Sequence, residues 1–240
     1  MLTVITINKN NKVGMQATKS SIELQKNQKF RWLIIDGNST DGSLNDIGNR
    51  PDTVLSEGDT GIYNAMNKGL MLSKNSHVMF VNSGDVFYDE YVTDVIIMHS
   101  KQHSLLYGDI LMHSKSYNRL WRSGKFRKFK LWLGWHPPHP AFIMFNKLDE
   151  KDCYFNENYK IAADYDLMVR KLLYSSACIK YLPHLLVKME LGGVSNSNIF
   201  NIFKANFECA VSWRSRIIMP AFWLIITKPI FKLLQFRQGH

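Results

Sequence analysis

The chain has 240 residues, 45% of them apolar, which is enough for a buried core in one large domain or two small ones. Its three cysteines, Cys153, Cys178 and Cys209, are odd in number and include no CxxC pair. That argues against a disulfide framework or a zinc site and for a reducing, cytosolic compartment. The net charge of +10 is concentrated in two stretches: Ile110 to Leu148 has no acid, and residues 201–240 hold a single acid, Glu208, among six Lys or Arg. Such patches suit phosphates, anionic head groups or nucleic acid, and charge alone does not choose among them.

The N-terminus, MLTVITINKN, has no basic region ahead of an apolar stretch and reads as a first strand rather than a signal peptide. Strand-like runs follow at 31–36, 53–57 and 77–82, with a helix-compatible stretch from Val13 to Lys26. Ile62, Ala65, Met66, Gly69 and Leu70 mark one helical face, and 91–100 predicts another helix. In the second half, 104–112 and 141–145 read as strands, flanking a basic, Trp-containing segment from Arg119 to Trp135. A helix is expected from Asp164 through Leu173, then two strands at 177–182 and 184–190. With no internal repeat or linker, the expected division is a catalytic domain over 1–200 and a C-terminal helical segment over 201–240.

Alternating β and α units predict an open sheet with helices on both faces, whose ligands gather beyond the carboxyl ends of the strands. Polar clusters stand at those ends: DGNSTDG, EGDTG and NSGD. Asp36, ending the second strand, suits a nucleobase or ribose hydroxyl, whereas Asp41 reads as a turn or cap. Asp85 follows a buried strand and, with Gly84 allowing close backbone approach, suits a metal on a diphosphate; the alternative is a turn or N-cap. Asp164 opens a helix and is either an N-cap or a general base, while Asp166 reads as structural. His139, held among prolines, is a candidate metal or phosphate ligand, and His136 a weaker one.

TVITINKN, IIDGNSTDGS, EGDTGIYNAMNKGL, FVNSGD, HPAF, ADYDL and GGVS, in this order from Leu2 to Ser195, together resemble the family 2 glycosyltransferases that assemble bacterial surface polysaccharides. The resemblance implies a GT-A fold: a Rossmann-like, three-layer α/β/α architecture on one continuous mixed sheet. It implies inversion by direct displacement, with Asp36, Glu57, Asp59, Asn67 and Asp85 holding the donor and Asp164 as base. A Mg²⁺ or Mn²⁺ ion would lean on Asp85 and His139, because where relatives carry DxDD-like acids this chain has Asn82-Ser83-Gly84-Asp85 and keeps only the last. The base motif is ADYDL rather than the commoner EDYDL.

Residues 217–226, IIMPAFWLII, are too short to span a bilayer, which needs about 20 residues. Flanking Arg and Lys make this a candidate amphipathic segment in the lipid interface, with packing against the catalytic domain or a partner subunit as the alternative. The expected partners are a nucleotide sugar, first of all a UDP-sugar, a lipid-linked saccharide and the inner face of the cell membrane, with no nucleic acid. Two rivals fit less well. A nucleotidyltransferase lacks its glycine-rich basic loop at NKNNKVG, and a basic nucleic-acid or membrane module leaves the acidic clusters at three strand ends unexplained.

Overall fold

The β-branched and aromatic runs of the first half are apolar on both faces, so they can only lie at the centre of a sheet. In a computed structural model, which describes residues 1–114, 118–147, 153–174, 178–190 and 199–214, β1 (Leu2–Asn8) is buried at every position. It lies between β2 (Phe30–Asp36) and β4 (Ser76–Phe80), both parallel to it, and β3 (Thr53–Ser56) pairs parallel with β2. The crossovers carry α1 (Lys12–Glu23) and α2 (Ile62–Leu72). Side chains of β1 alternate between two cores. Leu2 and Val4 join Trp32, Ile34, Met15 and Ile22 on one face; Ile5 and Ile7 join Leu33, Ile35, Met66 and Leu70 on the other. The helical face read for α2 is buried except at its start, where Ile62 is exposed. At Gly69 an added Cβ would come 2.7 Å from Ile5, so the missing side chain lets α2 sit close on the sheet.

The second half completes the same sheet with mixed pairing. β8 (Phe142–Asn146) runs antiparallel beside β4, and β6 (Leu105–His113) antiparallel beside β8. β9 (Ile179–Glu190) is parallel to β6 and antiparallel to the two-residue β5 (Val86–Phe87), while β7 (Asn118–Trp121) pairs the end of β6. The two late strands expected from the sequence are one. The register shifts between the pairs Tyr107–Tyr181 and Asp109–Leu185, so Pro183, which has no N–H to give a ladder, sits where pairing is interrupted. The remaining helices are α3 (Val92–Ser100), the short α4 (Lys128–Leu131), α5 (Ala163–Tyr174) and α6 (Ile199–Arg214).

Cys209 of α6 is buried in the same core as Ala163, Leu167 and Met168 of α5. Ala210 and Ser212 of α6 are buried as well, whereas Lys204, Phe207 and Val211 are exposed. The apolar run 217–226 and the GGVS motif lie outside the described residues. Among the described residues no helix is long and apolar enough to cross a membrane.

Candidate active site

The parallel strands end along one edge, and between β1 and β4 the strand order reverses, the place where open α/β sheets bind ligands. Asp36 ends β2 there but is 0% exposed. Its carboxylate accepts from Asn8 Nδ2 at 2.8 Å, Ser39 N at 2.9 Å, Ser39 Oγ at 2.6 Å and Ser56 Oγ at 2.7 Å. Burial alone would raise its pKa, yet the Ser39, Ser56 and Asn8 hydrogen bonds prevail and hold it below the usual value. Four donors fill what a carboxylate can accept. Asp36 thereby ties together the ends of β1, β2 and β3 and orients the loops that follow. Asp41 keeps its turn role, accepting from Ser43 and from the Lys12 N–H at the start of α1.

Glu57 and Asp59 follow β3. Glu57 is exposed and pairs with Lys68 at 2.8 Å. Asp59 accepts from Gly61 N at 3.0 Å and lies 3.8 Å from Lys9 Nζ. A Cβ at Gly37 would collide with Asp59 Oδ2, so that glycine is what lets the loop after β3 close on the end of β2.

Asn67 lies on α2. It is buried, and its amide is occupied by Phe155 N, Phe155 O and Glu157 Oε1. With Asn64, which also reaches Glu157, it fastens α2 to the segment leading toward α5.

The turn after β4 is pinned by α1. Asn11 Nδ2 donates to Ser83 O at 2.9 Å, and Thr18 Oγ1 accepts from Gly84 N at 3.0 Å and lies 2.7 Å from Asp85 O. Gly84 has φ +103°, which favours glycine. Burial pushes the Asp85 carboxyl up to about 7, against one backbone hydrogen bond from the Asn82 turn. Two amide oxygens beside this turn, Asn8 Oδ1 and Asn82 Oδ1, are buried without a hydrogen-bond partner. An unmet buried acceptor costs about 1–3 kcal/mol, which a bound cation or hydroxyl would relieve.

His139 lies in a 3-10 turn, His139–Ala141, that leads into β8. Its ring stacks on Phe80, the last residue of β4, at 5.4 Å and meets Phe155 edge-on at 5.7 Å. Burial holds the ring below its usual pKa, and the charge that opposes this is the Asp164 carboxylate. His139 thus answers electrostatically to Asp164. His136 packs edge-on against Trp121 and Tyr165.

Asp164 stands in the first turn of α5, where its Oδ1 accepts from Tyr165 N at 2.8 Å. Tyr63 of α2 donates to Ile161 O at 2.5 Å and lies 3.5 Å from Asp164 Oδ1. Burial, then Asp164, pushes the Tyr63 phenol far up, so it stays protonated and a donor. Asp166 is structural, as its position suggests: it pairs with Arg170 and accepts from Ser212 Oγ.

On the other side of the sheet centre, the basic segment is built in. Asp109 accepts from Ser123 N and Tyr181 OH, Tyr107 OH donates to Gly124 O, and Trp135 Nε1 to Ser123 O. These bonds hold a platform from which Arg122, Lys125, Arg127 and Lys128 face solvent.

Comparison with known proteins decides the family. The model of "Glycosyl transferase family 2" matches residues 3–162. The chain belongs to glycosyl transferase family 2. The match ends just before Asp164. As a family 2 glycosyltransferase it is 28% identical to the "PGL/p-HBAD biosynthesis glycosyltransferase" proteins of Mycobacterium bovis and Mycobacterium tuberculosis, covering 91% of this chain and 88% of theirs.

Solved structures of glycosyltransferases share its GT-A fold. S. aureus TarS superposes with TM-score 0.70 at 17% identity over 92% of this chain, which spans only 41% of that one. TarS 1–349 in complex with UDP-GlcNAc gives 0.68 at 17% identity, covering 98% and 73%. The mannosyltransferase PcManGT from Pyrobaculum calidifontis, in complex with GDP-Man and Mn²⁺, gives 0.60 at 11% identity, covering 99% and 73%.

Among the described residues of this glycosyltransferase, no three His, Cys, Asp or Glu side chains form a metal cage. The oxygens of Asp85 and Asn82 nevertheless suit a hard cation that keeps waters and phosphate oxygens as its other ligands.

Tyr63, Asn8 and Glu208 escape a reading of the sequence. Glu208 did leave a trace, as the lone acid in a basic stretch.

Proposed function

We propose that the enzyme transfers a sugar from a nucleoside diphosphate sugar, with inversion, to a hydroxyl of a lipid-linked saccharide in glycolipid or polysaccharide synthesis. The observation that carries this reading is the edge where β1 and β4 end. There the carboxyl of Asp85 and the unpartnered oxygens of Asn8 and Asn82 gather, with Asp164 joined to the same strand through His139 and Phe80. The donor is a UDP- or GDP-sugar by likeness to proteins whose structures hold UDP-GlcNAc and GDP-Man.

In this reading Asp164 accepts the proton of the acceptor hydroxyl as its oxygen bonds to the anomeric carbon, while the bond from that carbon to the diphosphate oxygen breaks. A divalent cation, Mg²⁺ or Mn²⁺, supplies neutralising charge for the departing diphosphate when bound, with Asp85 as its carboxylate ligand. Glu57 and Asp59 border the donor through the loop they shape. His139 serves the base rather than the metal. Its neutral ring and the rings of Phe80 and Phe155 exclude water around Asp164.

The basic platform at Arg122 to Lys128 and the basic C-terminal stretch support an anionic, membrane-bound acceptor at the cytoplasmic face. The test is a thermal-shift panel of UDP-glucose, UDP-GlcNAc and GDP-mannose with and without Mn²⁺, followed by transfer to a short-chain lipid glycoside. A sugar nucleotide at 100 times its Kd adds about 2.7 kcal/mol of stability. Nucleic-acid binding at physiological salt with no shift from any nucleotide would overturn the proposal.

A further inference from the structure

We infer that Glu208 of α6 is a positioning residue for the base Asp164, so that α6 belongs to the catalytic unit. The inference rests on the reading of Asp164 as general base. Three consecutive backbone N–H groups just ahead of α5 converge on this one side chain: Lys160 N donates to Oε1 at 3.1 Å, and Ile161 N and Ala162 N donate to Oε2 at 2.9 Å each. Glu208 is only 8% exposed. A carboxylate buried beside a helix start is stabilised by such N–H groups, and they in turn have no other acceptor offered by α5. From the opposite side Tyr63 grips the Ile161 carbonyl. The segment 160–162 is therefore held by α2 and α6 together, and Asp164 begins the helix it feeds.

The grip differs from plain docking. α6 has separate contacts that hold it on α5: buried Cys209 and Ala210, and the Ser212 hydroxyl on Asp166 at 2.6 Å. Glu208 instead fixes backbone, and among the described residues no hydrogen bond engages Asp164 Oδ2, the oxygen free for an acceptor hydroxyl. Without the Glu208 carboxylate the three N–H groups lose their acceptor, and segment and base shift together. A displacement of about 1 Å of a reacting group costs about 10²-fold in rate.

The experiment compares full-length D164N, E208Q, E208A and S212A by amide hydrogen exchange at 160–162 and by transfer kinetics with the best sugar nucleotide among UDP-glucose, UDP-GlcNAc and GDP-mannose. E208Q is nearly isosteric and sets an amide NH₂ against a backbone N–H, so it tests the grip even where E208A fails to fold. The expected result is faster exchange at 160–162 in E208Q and kcat lower by about 10–10²-fold, with donor KM within about twofold. S212A loses thermal stability and keeps its kcat. Wild-type kcat and exchange in E208Q beside an inactive D164N would overturn the inference and leave the base standing. Full activity in D164N would overturn the base reading itself.

Discussion

Asn67 and Phe155 bind each other twice: the Phe155 N–H donates to Asn67 Oδ1 at 2.8 Å, and Asn67 Nδ2 donates to Phe155 O at 3.0 Å. The side-chain amide thus pairs with the Phe155 backbone as a neighbouring strand would, from the buried flank of α2. This pair of hydrogen bonds holds Phe155 where it packs on His139, Phe80 and Tyr63.

Replacing Asn67 by Ala leaves the Phe155 N–H and C=O unmet in a buried site. The expected loss is about 2–3 kcal/mol of stability with donor affinity unchanged, read by urea denaturation and calorimetric titration. A large loss of donor affinity at unchanged stability would return Asn67 to the donor site.

Asp164→Asn keeps the size of the side chain and removes its basicity. Transfer should fall by about 10²–10⁴-fold while sugar-nucleotide binding persists, measured by product formation and by titration on the same preparation. Wild-type turnover is the adverse result.

Asp85→Asn should abolish the extra thermal stabilisation that Mn²⁺ gives in the presence of UDP, with little change in UDP binding alone. The Asp85 carboxyl is the one strand-end acid whose burial raises its pKa to about 7, so a cation there gains most from its charge. An undiminished Mn²⁺ response in the variant would remove Asp85 from the metal site.

The acid side of the stability curve should carry the mark of Asp36. Its folded pKa is lowered from 3.8, so its contribution is fully present above that value and is lost as pH falls through the folded pKa. Asp36→Asn should flatten the fall in stability below about pH 4 and lower stability at pH 7 by about 1–3 kcal/mol. A curve in the variant that drops in parallel with the wild type below that pH counts against the buried network.

Much of the fold was legible because the parallel half obeys local rules. The runs at 2–7 and 31–36 are apolar on both faces, and the spacing of Ala65, Met66, Gly69 and Leu70 leaves one helical solution. The polar clusters after each strand marked the ligand edge for the same reason.

What sequence could not decide is which buried carboxylates find hydrogen-bond partners within the protein. Asp36 ends a buried strand and Asp85 follows one. Ser39 from the loop after β2, Ser56 from the end of β3 and Asn8 from the end of β1 reach the first, whereas the second receives no side-chain donor among the described residues. Likewise, Glu208 is a lone acid in a basic stretch until folding brings it, 46 to 48 positions away in the chain, onto three N–H groups. Hydrophobic period is written locally, one residue after another. The partners of a buried carboxylate come from distant segments, and only the packed chain sets the ångström distances on which its chemistry depends.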